Sequence, residues 1–340
     1  MRFTAINAGV LSIVLSIACF AQENAGTAAA ALPLHLRDTG LFAPDSVDQI
    51  AANNLSVSPQ YPLWSDGAVK RRWLYLPPGT HIDASNPDAW DFPRGTRLWK
   101  EFSFERRIET RYIERLADGS WQYASYIWND SGTDAVLAAS AGVTQTSSGY
   151  QIPSREDCRA CHEGGAVPVL GVSALQLSRD RDALAPHAEK INALDLNALV
   201  KRGLIVNLPA SWIAQPPRIA AVTERERAAL GYLHGNCGEC HNDDGPLAVL
   251  NLSLAQSASH PELTRLRTLE SIVNALSDFR FGERSHRVIP GNADASVLPA
   301  RMRSRDAVSQ MPPLGSRRPD TQAIALIEHW INQDLSSPQE

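Results

Sequence analysis

Cysteine is scarce in this chain. Five occur in 340 residues, and the first, Cys19, falls inside the opening apolar run. The four that remain are too few for a fold stapled by disulfides. Methionine is scarcer: beyond Met1 there are only Met302 and Met311. Excess basic charge is also lacking, with 32 Lys and Arg against 37 Asp and Glu, which excludes the broad cationic face that a nucleic-acid partner requires. Beyond residue 21 no apolar stretch approaches the ~20 residues of a membrane-spanning helix, so no transmembrane segment is expected in the mature chain.

The four remaining cysteines stand in two copies of one pattern, Cys158-Arg-Ala-Cys161-His162 and Cys237-Gly-Glu-Cys240-His241. Cys-x-x-Cys-His is the attachment sequence of c-type haem: the two thiols add to the vinyl groups and the adjacent imidazole becomes the proximal iron ligand. A zinc site built from the same four thiols fits the spacing of a four-cysteine ribbon but leaves both histidines as bystanders. Two local disulfides would each close a very short loop and stabilise little. The expected cofactors are two covalent haem c groups.

The compartment is read from the first residues. Arg2, the apolar run Ala8 to Phe20 and the small-x-small site Cys19-Phe-Ala21 describe a cleavable signal peptide, 1–21. The predicted location is periplasmic or secreted. Lipid attachment at Cys19 is the lesser alternative, because Ser16 stands where a branched aliphatic residue is wanted.

The expected organisation is a linker at 22–35, a β-rich domain at 36–150, a first haem-binding segment at 151–218 and a cytochrome c-like domain at 219–335. The predicted fold class is α+β, with an N-terminal β-rich sandwich-like domain followed by an all-α cytochrome c-like haem-binding region. Strand patterns recur at Val69 to Leu76, Arg97 to Phe104, Thr110 to Leu116 and Trp121 to Trp128, with a hairpin turn at Asp118-Gly119. Six of the eight Trp lie between Trp64 and Trp128 and are read as filling the core rather than forming a ligand platform. Asn129, Asp130 and Asp134 are read as turn residues. Ser154 to Asp157 and Thr223 with Glu226 read as capping boxes of the two haem-binding helices, and Asp320 caps a last helix carrying Ile324, Ile327 and Ile331.

The sixth iron ligands are harder to place. Met311 precedes Pro312-Pro313, which pushes it out of the helical region into a loop able to aim its sulfur at the iron of the His241 site. Thioether ligation raises the potential, the property of an electron carrier. Met302 shares a helical face with Leu298 and reads as packing. For the His162 site His187 is the preferred ligand, with His234 a weaker candidate. Arg280, Arg284 and Arg287 read as a solvated charged loop, with haem propionates as the alternative partners.

The chain resembles a family of secreted bacterial diheme c-type cytochromes. The resemblance runs from about Tyr61 to Asn332. It is carried by Tyr61-Pro-Leu-Trp-Ser-Asp-Gly-Ala, Leu76-Pro-Pro-Gly-Thr80, Phe92-Pro-Arg-Gly-Thr96, Ile108-Glu-Thr-Arg111, Tyr126-Ile-Trp-Asn-Asp130, both Cys-x-x-Cys-His motifs, Ile289-Pro-Gly291, Ser296-Val-Leu298 and Met311-Pro-Pro-Leu-Gly315. The tail from Pro290 to Trp330 is similar to the C-terminal half of single-haem cytochrome modules. The likeness implies two covalent haems, an exported location and a redox role, and names no substrate. The expectation is thus a periplasmic electron carrier with an unidentified redox partner protein, the Met311 site having the higher potential. A diheme peroxidase-like enzyme with an open iron at His162 is the main alternative, and a β-rich domain that binds a polymer or partner is a third.

Overall fold

Alternation of side chains across four neighbouring strands sets the architecture. A computed structural model of the chain describes residues 31–143, 150–188 and 193–335. The expected signal peptide, and with it the location read from it, lies outside the described residues, as does most of the 22–35 linker. By contacts the chain divides into Met1–Ala31 and Leu32–Glu340, and everything below concerns the second unit.

Its strands are β1 (Leu55–Ser56), β2 (Val69–Tyr75), β3 (Ile82–Asp83), β4 (Arg97–Ser103), β5 (Arg107–Arg115), β6 (Trp121–Trp128), β7 (Ala135–Leu137), β8 (Ile205–Val206), β9 (Leu276–Phe281) and β10 (Arg284–His286). The helices are α1 (Arg155–His162), α2 (Leu196–Lys201), α3 (Ser211–Ala214), α4 (Glu224–Asn236), α5 (Pro261–Ile272), α6 (Val297–Arg303) and α7 (Thr321–His329). One antiparallel sheet runs β1-β2-β4-β5-β6-β7. The four long strands fall close to where alternation places them, and β5 turns into β6 at Gly119, whose φ of 95° suits glycine.

Because successive side chains point to opposite faces, the register sorts the sheet into two surfaces. On one, Trp73, Trp99, Tyr112 and Ala124 are direct cross-strand partners and pack against Leu36, Leu41 and Phe42. The indole N–H of Trp99 donates to Thr39 Oγ1 at 2.9 Å. Trp73, Trp90, Trp99 and Trp128 are all buried, as core tryptophans should be. On the other, Leu74, Leu98, Ile113 and Tyr123 are partners and join a core that also holds Val169, Leu199, Leu233 and Ile327. The segments expected as 36–150, 151–218 and 219–335 share this core. A parallel pairing of β3 with β8, Ile82 opposite Ile205, also joins early and late chain.

This corrects the expected fold class. Among the described residues no second sheet covers the first: one face lies under the chain around Leu36 to Phe42 and the other under helices and loops, so the arrangement is not a sandwich. Nor is the region after residue 150 all-α, since it contributes β8 and the β9–β10 hairpin, and its helices are short. Helical periodicity located α4 and α7 correctly. The error was to extend it over the intervening chain, where Leu276 to Phe281 alternates and Gly282, at φ 60°, makes the turn.

The turn reading of Asn129, Asp130 and Asp134 agrees with their contacts. Asn129 Oδ1 accepts from the Thr133 backbone N–H, Asp130 pairs with Arg106, and Asp134 pairs with His35 and Arg37. Among the described residues no helix is long and apolar enough to cross a membrane.

Candidate functional site

The first motif sits on α1, and local chemistry explains why the chain turns helical there. Ser154 Oγ accepts from the Asp157 N–H at 3.0 Å while Asp157 Oδ2 accepts from the Ser154 N–H at 2.9 Å, a complete capping box. Ser154→Ala is expected to cost ~0.5–2 kcal/mol, read as a lower urea midpoint and faster amide exchange over 155–162. The helix delivers Cys158, Cys161 and His162 within little more than two turns. His162 Nδ1 donates to Pro168 O at 2.6 Å. A carbonyl only accepts, so the proton is on Nδ1 and Nε2 keeps its lone pair, the arrangement usual for a metal-ligating histidine. Burial pushes the His162 pKa down to about 4, against the Pro168 bond, with the charges of Lys100 and Arg111 adding to the fall.

The second motif follows α4. Thr223 Oγ1 accepts from the Glu226 N–H at 3.0 Å, but Glu226 reaches back to the Val222 N–H rather than to the cap residue, so the expected capping box is shifted by one position. Cys237 ends the helix, and the Cys240 and His241 N–H groups both donate to Cys237 O, curling the motif into a tight turn. His241 Nδ1 is buried with no hydrogen-bond partner among the described residues. Its pKa falls to about 4 through burial, then through Arg301 and Arg287.

The two motifs touch. The side chains of Cys161 and Cys240 face each other, and Cys240 Sγ lies 3.9 Å from Ala160 O. Asn242 staples the turns together: its Nδ2 donates to Gly164 O at 2.9 Å and Gly238 O at 3.0 Å, while its Oδ1 accepts from the Gly245 N–H at 2.7 Å. Any side chain on Gly164 would overlap Glu239 O, and one on Gly245 would overlap Gly164 O. Sequence spacing gave no hint of this contact.

All four cysteines and both histidines line one cavity of about 750 Å³, within the ~300–1,000 Å³ usual for cofactor sites. Met311 lines it too, with its N–H bonded to Arg301 O at 3.0 Å. The residues present fit haem. Two thiol pairs and two imidazoles face a largely apolar cavity; one imidazole is in the tautomer iron requires, and the other has a buried nitrogen with no protein partner. The four cysteines are free, and among the described residues no three His, Cys, Asp or Glu side chains converge as the ligands of a bare ion would.

His187 does not join them. Its Nε2 is held by both carboxylate oxygens of Asp320 at 2.9 Å, its ring packs on Trp64 with centroids 4.8 Å apart, and it is not part of the cavity wall. A nitrogen committed to a carboxylate is not a free ligand, so the expectation of His187 as the sixth ligand is corrected: its Nε2 faces Asp320 and its side chain stands outside the cavity wall. His234 does line the cavity, but its Nδ1 accepts from the Gln256 N–H at 3.1 Å, which puts the proton on Nε2 and leaves no lone pair there. Arg287 is spent on the carbonyls of Leu250, Asn251 and Ser271, so it is a structural brace rather than part of a solvated loop. Met302 is buried on α6, as its packing role requires.

A strap from the β-rich half holds α4 in place. The Tyr61 ring lies against Gly231 and the Tyr61 carbonyl against Gly235, so closely that a methyl group on Gly231 would overlap the ring and one on Gly235 the carbonyl oxygen. Asn236 Oδ1 accepts from the Trp64 N–H at 2.7 Å, and Tyr61 donates to Asp182 at 3.1 Å. Asp66 Oδ1 accepts the N–H groups of Arg317 and Arg318 on the loop that follows Met311. Tyr61 to Ala68 was a marked stretch in the sequence without a role; the role is to clamp the chain on both sides of the second motif.

Compared with known proteins, the chain matches no protein-family model, no curated protein and no solved structure.

Proposed function

We propose that the protein is an exported diheme c-type cytochrome, working in the periplasm or outside the cell, that transfers electrons to or from a redox partner protein. Cys158, Cys161 and His162 hold one haem; Cys237, Cys240, His241 and Met311 hold the other. The observation that supports this best is the direct contact of the two anchoring motifs in the wall of one cavity. Haem c supplies a reversible one-electron couple. The chain's own residues do the rest. Pro168 O fixes the His162 ring through Nδ1, and the Asn242 staple keeps the two motifs at a constant separation. The apolar wall excludes water, and the Met311 thioether favours the reduced state.

The test is the intact mass of protein matured in a host competent for cytochrome biogenesis, where two added macrocycles are expected and bare polypeptide would refute the reading. Met311→Ala is expected to abolish the sulfur-to-iron band at the red end of the ferric spectrum. It should also lower one midpoint potential by a sizeable part of the ~0.8 V that axial ligands command. A surviving band would remove Met311 from the ligand set.

One observation favours a second reading, an oxidoreductase of the diheme peroxidase kind. With His187 Nε2 committed to Asp320 and His234 in the wrong tautomer, neither expected histidine is placed to close the His162 site. A high-spin ferric fraction that binds cyanide and reacts rapidly with peroxide would select this reading, and two low-spin centres inert to peroxide would reject it.

A further inference from the structure

The sheet's cavity face carries an arrangement that folding alone does not explain. Arg72 on β2, Lys100 on β4 and Arg111 on β5 are direct cross-strand partners, Arg72 opposite Lys100 and Lys100 opposite Arg111. They lie on the same face as Leu74, Leu98 and Ile113, two residues along each strand, and all three line the cavity that holds the cysteines. Like charges set directly opposite each other in a sheet are destabilising. Partial burial adds to the cost, since a charge removed from water needs a partner.

Among the described residues no anion is paired with Lys100, the centre of the row. Arg111 is clamped by Glu109 at 2.9 and 3.1 Å, and the carboxylate of Asp157 is occupied in the capping box of α1. Lys70, on the same face, donates to Leu63 O at 2.9 Å and adds a fourth cation. Among the described residues the Lys100 ammonium makes no ion pair or hydrogen bond. It lies 4.9 Å from the centroid of the Phe102 ring, and the Arg111 guanidinium lies 4.4 Å from the same ring. The fields of Arg72, Lys70 and Arg111, after burial, push the Lys100 pKa well below its ordinary value, which measures how positive this wall is.

We propose that Arg72, Lys100 and Arg111 form a carboxylate receptor built into the sheet, Lys100 being its unfilled central position. This rests on the diheme reading, and it gives the β-rich half a role in the redox site. The carboxylate has two sources: a propionate of the haem anchored at Cys158 and Cys161, or a small carboxylate that enters the same cavity. Arginine and lysine recognise both through charge-assisted hydrogen bonds.

The experiment uses the full mature holoprotein, with two macrocycles confirmed by mass in every sample, so that failure of haem attachment is seen separately from failure of the receptor. Lys100→Met keeps the length and apolar contact of the side chain and removes the charge; Lys100→Arg keeps the charge. Midpoint potentials are measured by spectroelectrochemistry between pH 5 and 8, with and without formate. If a propionate fills the site, Lys100→Met lowers one midpoint potential, because loss of a nearby cation favours the ferric state, while Lys100→Arg does not and formate changes nothing. If a free carboxylate fills it, formate shifts the parent spectrum saturably, and Lys100→Met weakens that binding by about tenfold or more. Unmoved potentials in Lys100→Met, together with no saturable response to formate in the parent, overturn the proposal. Should Lys100→Met fail to accumulate with both haems, Lys100→Gln is read in the same way.

Discussion

Gly231→Ala is expected to destabilise the protein severely, and the sign of the effect is the informative part. In the middle of an unconstrained helix, replacing glycine by alanine is stabilising by up to ~1 kcal/mol, because glycine has the greater freedom to lose. Gly231 lies well inside α4, so propensity alone predicts a gain. Packing predicts the reverse. The new methyl group would occupy space already filled by the Tyr61 ring, backed by a hydrogen bond from the Tyr61 hydroxyl to buried Asp182. Overpacking of this kind costs ~1–3 kcal/mol and sometimes more. Moving Tyr61 away also strains the neighbouring part of the strap at Asn236, whose side chain bonds both the Trp64 N–H and Pro62 O. A total stability of ~5–15 kcal/mol leaves little margin for such a loss. Urea unfolding of the haem-loaded protein should show the fall in midpoint, and Gly231→Ala combined with Tyr61→Ala should cost less than the sum of the two single changes, since the second removes the clash created by the first. A Gly231→Ala protein as stable as its parent would mean that the strap does not bear on the helix as described.

Local chemistry was legible wherever a motif closes within a few residues. The Ser154–Asp157 box and the Asp320 cap of α7 are both spelled by neighbours in sequence and both occur. The long strands were legible for the same reason, since a period of two needs only one strand to be seen. What covers each face of the sheet was not. That depends on pairings such as Trp99 with Thr39, 60 residues apart, and no periodicity reports them. A run of tryptophan-rich strands buried on both sides reads as a sandwich whether the cover is a sheet or a length of loop.

The candidate site divides along the same line. Each Cys-x-x-Cys-His is a local signal; the contact between them, across 80 residues from Ala160 to Cys240, is not. His187 shows the limit most plainly. It stands at a suitable loop distance from His162 and follows a proline, but its nitrogen is claimed by Asp320, 133 residues later. The cation row was invisible for a further reason: Arg72, Lys100 and Arg111 look like ordinary surface charges until the register puts them side by side.

Replacing Cys237 and Cys240 together by alanine should have the largest effect of all, because the second anchoring motif is also a structural hub. On the diheme reading the expected product carries one macrocycle by mass rather than two. Two small side chains become two slightly smaller ones, so if the cysteines served packing alone the loss would be modest. Their cavity, however, is bounded by residues of the main core, including Leu254, Ile272 and Ile324. Burial of apolar surface contributes ~25 cal/mol per Å², so each ~100 Å² of this wall left against water forfeits about 2.5 kcal/mol. A few such patches equal the whole stability of an ordinary domain. The variant should therefore melt far below the parent and be cut readily by protease. The haem that remains at His162 should also be disturbed, because the Cys161–Cys240 contact and the Asn242 staple join its anchor to the damaged turn. The paired change of Cys158 and Cys161 is the comparison: it too removes one macrocycle, but the residues of α1 are at most partly buried, so the fall in melting temperature should be smaller. Equal stability of parent and both variants would show that the cavity wall does not depend on a bound group, and the haem reading would lose its structural support.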